Sequence, residues 1–159
     1  MSASRSDITV GSLYIAGFTQ ARAPHVGLIV PTDSKTGCLV HIRIDKDKFP
    51  NWMHQHRTQA IANDMFLSSL LKIHDVSAGE ITPEQLRAAA AEIPAPDNDE
   101  FGECGPWVYR VVQQLQNVGL VVCTDLKGMA EEFEAFAAGN RAYARRDRLP
   151  NVAVSQFCT

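Results

Sequence analysis

The most constraining feature of this chain is a pair of short apolar runs joined by a turn. The first, PHVGLIVP (Pro24 to Pro31), is bracketed by prolines, which suit strand ends and not strand interiors. TDSKTG (Thr32 to Gly37) has the Asp, Ser and Gly chemistry of a turn. CLVHIRID (Cys38 to Asp45) then alternates, with Val40, Ile42 and Ile44 on one face and Leu39, His41 and Arg43 on the other. In the first run Val26, Leu28 and Val30 share a face, and His25 and Gly27 share the opposite one. This is the pattern of an antiparallel hairpin with one apolar and one mixed polar face, because a one-residue slip would invert every side chain.

The remaining elements arrange themselves around that hairpin. Ile8 to Phe18 is rich in β-branched and aromatic residues and reads as a strand. Trp52 to Gln59 favours a strand by its polar alternation, and Phe66 to Val76 ends in another. Thr82-Pro83-Glu84-Gln85 is a helix start, with Thr as N-cap, Pro in the first turn and Gln three residues after the cap. From Pro106 the residues Trp107, Val108, Val111, Val112 and Leu115 recur at helical spacing up to Gly119. Leu120 to Cys123 is a candidate short strand, Asp125 to Arg148 a long Ala-rich helix, and Val152 to Phe157 an edge strand. Strands first and helices later predict an α+β fold, a small antiparallel β-sheet packed against helices in one domain spanning 1–159.

Composition narrows the function classes. A formal net charge of -3, with no basic run beyond Arg145, Arg146 and Arg148, gives no electrostatic case for nucleic acid. No apolar stretch is long enough for a membrane span. The opening MSASRSDITVGS lacks the apolar run of a secretory signal, so a cytoplasmic setting is expected. Cys38, Cys104, Cys123 and Cys158 lie far apart without metal-type spacing, which predicts reduced thiols, no structural metal and no cofactor. His54-Gln55-His56 would set two rings on one strand face, as metal pairs require, though an exposed polar strand is the more ordinary account. An uncovered sheet edge would suit a homodimer.

The residues that point to chemistry lie in FGECGPWVYRVVQQL. Cys104 stands at the mouth of a helix, where unpaired backbone N–H groups and the positive end of the dipole favour thiolate over thiol. Gly105 keeps the approach open, and the Cys104 N–H is a natural oxyanion donor. His25, on the non-core face of its strand, is the expected base, with His41 on the paired strand orienting it as a third group does in triads. Arg43 and Arg57 are candidates to hold a substrate carboxylate.

HVGLIV (His25 to Val30), GCLVHIRI (Gly37 to Ile44) and ECGPWVYRVV (Glu103 to Val112) together resemble the circularly permuted papain-like group, which includes the lecithin–retinol acyltransferase relatives and the PPPDE peptidases. The chain is also similar to small fungal proteins with an H…G…H…W…C-x-x-W-V layout, on which Trp52 and Trp107 fall. The resemblance implies a permuted, NlpC-like fold and a cysteine-dependent hydrolase or acyltransferase acting on an amide, ester or thioester. Cys104 would be the nucleophile, His25 the general base and His41 the orienting residue, with Arg43, Trp52 and Trp107 lining a small-molecule or peptide substrate. Glu103 stands where these families commonly carry Asn, and its charge opposes a thiolate. The rival expectation is a catalytically inactive papain-like domain that binds a small metabolite or a protein partner.

Overall fold

The computed structural model describes residues 8–19, 25–44, 47, 51–100, 102–145, 147 and 149–158. The strands are β1 (Leu13–Phe18), β2 (His25–Pro31), β3 (Thr36–Arg43), β4 (Met53–Ala60), β5 (Leu67–His74) and β6 (Asn151–Val154). The helices are α1 (Pro83–Ala91), α2 (Cys104–Asn117) and α3 (Leu126–Ala138). The fold is α+β, with six strands in the order β4-β3-β2-β1-β5-β6. The sheet is mixed and not purely antiparallel as expected: β6 runs parallel to β5, pairing Leu70 with Val152. A parallel return needs a long crossover, and here α1, α2 and α3 all lie in it.

The predicted hairpin forms, with Leu28 opposite Val40 and Val30 opposite Cys38. Alternation then sorts the side chains. Val26, Leu28, Val30, Val40 and Ile42 join a buried cluster with Cys104, Trp107, Val111 and Phe133 of the helices. Tyr14, Ala16, Phe18, Ile29 and Leu39 point the other way, into a second cluster that contains no helical residue. Gly27 is required by close approach: a Cβ there would lie 2.8 Å from Leu39 Cδ1 and 3.0 Å from the Val40 carbonyl oxygen. No described helix is long and apolar enough to cross a membrane.

α1 starts as the sequence predicts. Thr82 caps Gln85 N–H while the Gln85 side chain returns to the Thr82 N–H, a reciprocal capping box. α2 ends where expected, with Gly119 at φ +81 just beyond the Val118 cap. The expected helix from Asp125 to Arg148 is shorter. α3 stops at Ala138, and a 3-10 turn follows at Arg141–Tyr143. Asn140, only 4% exposed, ends it by turning inward: it donates to Ser69 Oγ at 2.9 Å and accepts from Asn151 Nδ2 at 3.0 Å, joining β5 to β6. Arg145 ion-pairs with Asp147 at 2.7 Å, whereas Arg146 and Arg148 lie outside the described residues. In Leu120 to Cys123, only Cys123 pairs, as an isolated bridge to Cys158.

Candidate functional site

α2 delivers Cys104 to the expected place and buries it there. Its thiol is held by the backbone N–H groups of Val26, Gly105 and Cys104 itself, all of which favour the thiolate. Desolvation outweighs them and raises the thiol above its ordinary range. The residue is 6% exposed, facing a cavity of about 260 Å³ whose walls include Val26, Tyr109, Phe133 and Glu134. Tyr109 donates its hydroxyl to Glu134 Oε2 at 3.2 Å, and burial followed by Glu134 drives its pKa up. Glu103 makes no capping bond with its side chain.

His25 opens β2 opposite Phe18 of β1, and its ring lies 5.7 Å from the Phe18 ring and 4.8 Å from that of His41. Its Nε2 and His41 Nδ1 are 2.5 Å apart, and His41 Nε2 is 2.7 Å from Gln55 Oε1. The carbonyl oxygen of Gln55 only accepts, so His41 Nε2 carries the hydrogen and its Nδ1 must accept. His25 therefore donates from Nε2 and keeps a bare Nδ1. Burial, then Arg57 and Arg43, lower His25 to about 4. Burial, then the neighbouring His25, lower His41 to about 3, with the Gln55 bond opposing and the two arginines adding to the fall. Both imidazoles are neutral at pH 7.

These side chains line one cleft of about 370 Å³ with Arg43, Trp52 and Arg57. The period of two on β4 puts Gln55 and Arg57 on the face of His41, since Gln55 pairs with His41 and Arg57 with Leu39. Arg57 Nη2 donates to Gln59 Oε1 at 2.9 Å, and the half-buried Trp52 donates its indole N–H to the Glu100 carbonyl at 2.9 Å. Ile44, expected on the helix-facing side, lies past the end of β3 and lines this cleft as well.

The structure therefore brings His25, His41, Arg43 and Trp52 together and places Cys104 and Trp107 elsewhere. His25 makes the expected orienting contact with His41, while Cys104 faces the cavity behind Val26. The reason is alternation: the helices pack on the Val26 side of β2, so its neighbour His25 turns to the second face. Trp107 is a core residue and not a substrate contact of the cleft. It is 0% exposed, donates its indole N–H to the Ile93 carbonyl at 3.0 Å, and borders a second cavity of about 220 Å³ with His41, His54, Gln55 and His56. His54 Nε2 bonds the Ile93 carbonyl oxygen at 2.7 Å, and His41 and Gln55 border this cavity as well as the cleft of His25. Gln55 is the site residue the sequence reading missed; its signal is the spacing of two from Arg57. Comparison with family models, curated proteins and solved structures finds no match for this chain.

Proposed function

We propose that this chain is a binding domain for a small organic anion, a carboxylate or phosphate ester, held in the cleft of His25, His41, Arg43 and Arg57. The observation that carries the proposal is the lining itself: two guanidinium groups share a small concave site with two imidazoles and an aromatic wall. Guanidinium forks match carboxylate and phosphate oxygens in geometry and charge. Trp52 offers an apolar face to the remainder of the ligand, and the volume suits a compact metabolite. The bare Nδ1 of His25 links binding to protonation, because an anion supplies a counter-charge that no described residue lining the cleft carries.

We read the architecture as papain-like and circularly permuted. Its support is element order: a strand opened by histidine, a second strand carrying histidine, and later a helix opened by cysteine. In this reading the domain keeps the frame of a thiol enzyme and uses the second face for recognition. A second reading, acyl transfer at Cys104, draws on one observation. The sulfur rests on the Val26 N–H, one residue from an imidazole already oriented by His41.

NMR of the histidine rings during titration with inorganic phosphate and with benzoate tests the binding proposal. Saturable shifts at His25 and His41 that Arg57→Gln weakens are the expected result. Rings that do not respond to either anion, or that respond equally in Arg57→Gln, overturn it. Acyl-enzyme formation on activated esters, lost in Cys104→Ala, would establish the second reading instead.

A further inference from the structure

Cys123 and Cys158, distant in sequence, meet at the far end of the helical layer. They are partners in an isolated antiparallel bridge. Thr124 N–H bonds the Phe157 carbonyl at 2.8 Å, while the Cys123 N–H goes to Gln116 Oε1 at 3.0 Å. The two cysteines are thus a non-hydrogen-bonded pair, the kind whose Cα atoms approach to about 4.5 Å. That spacing falls within the roughly 4.4–6.8 Å window a disulfide spans. Both thiols also point at one atom: Met129 Sδ lies 3.9 Å from Cys123 Sγ and 3.5 Å from Cys158 Sγ. Each cysteine is half-buried, within reach of a small reagent, whereas Met129 is fully buried behind them.

We propose that Cys123 and Cys158 form a reversible oxidation site, closing an intramolecular disulfide at the expense of a small disulfide such as oxidised glutathione. The thiolate of Cys123 attacks one sulfur of the oxidant, giving a mixed disulfide and one released thiol. Cys158 then attacks the Cys123 sulfur of that mixed disulfide and expels the second thiol. Two protein thiols are oxidised, one disulfide is reduced, and the two protein protons end on the released thiols. Burial and Cys123 push the Cys158 thiol up to about 12, so Cys158 is not the first to attack, and in the second step its intramolecular placement offsets its small thiolate fraction. The new bond closes residues 124–157 into a loop that contains α3 and β6. It ties the tail beyond β6 to the connection before α3, the helix that supplies Phe133 and Glu134 to the Cys104 cavity.

The test is intact mass and thiol counting after incubation with oxidised glutathione. The expected product is lighter by two hydrogens, with two of the four thiols alkylated on denaturation and a peptide cross-linked through Cys123 and Cys158. Its melting temperature rises by on the order of 10 °C, as for a loop of this length, and returns with dithiothreitol. In Cys158→Ser the reaction stops at a mixed disulfide on Cys123. Four alkylatable thiols after oxidation, a bond joining any other pair, or a wild-type protein arrested at the mixed disulfide would each overturn the proposal.

Discussion

Acid sensitivity of the fold follows directly from the two buried imidazoles. His25 and His41 are lowered from 6.5 to about 4 and about 3, respectively. In the unfolded chain both return to their ordinary value. Around pH 5 the unfolded chain therefore binds two protons that the folded chain refuses, and stability drops as pH falls. The contribution is complete above about 6.5 and is lost progressively toward the folded values. Between about pH 7.5 and about pH 5 the linkage amounts to about 2 kcal/mol for each histidine, or about 4 kcal/mol for the pair. That is a large share of the ~5–15 kcal/mol typical of a domain. Urea unfolding of the wild type and of the double variant His25→Gln, His41→Gln, each across this pH range, isolates the effect. The wild type is expected to lose about 4 kcal/mol more than the variant over this range, whatever the variant's stability at neutral pH. Equal pH slopes in the two proteins would refute the reasoning.

Two further outcomes test other parts of the account. Trp107→Ala removes a fully buried indole and its bond to the Ile93 carbonyl, so urea unfolding should show a loss of about 3–5 kcal/mol, with no change at the His25 and His41 resonances beyond that of global unfolding. Iodoacetamide should label Cys104 more slowly than a free thiol near neutral pH and at the ordinary rate in denaturant; rapid labelling of the folded protein would favour the thiol enzyme.

Much of the site was legible because period-two alternation is a local property. His25, His41 and Arg43 share a face in the sequence and in the structure, and Gln55 and Arg57 share theirs two residues apart. Their convergence depends on strand register, which a single chain does not reveal. Which face the helices would cover was equally non-local. The apolar residues Val26, Leu28 and Val30 carried its only local sign, and His25 alternates to the other face. The mouth of α2 was visible at Cys104, but its depth was not, since burial comes from Phe133 and Tyr109 of elements remote in sequence or one turn on. The early end of α3 had a local sign in Gly139-Asn140, overridden in the reading by the Ala-rich run around it. The direction of β6 had none, because a strand's sequence does not distinguish a parallel from an antiparallel partner.

Proton uptake on anion binding tests the central claim most directly. Calorimetric titration with phosphate near pH 5, repeated in two buffers of different ionisation enthalpy, measures the protons exchanged. An anion seated beside the lowered imidazoles raises their affinity for protons, so net uptake by the protein is predicted, together with tighter binding as pH falls toward about 4. Heats that do not saturate, or binding with no proton uptake by the protein, would contradict the account.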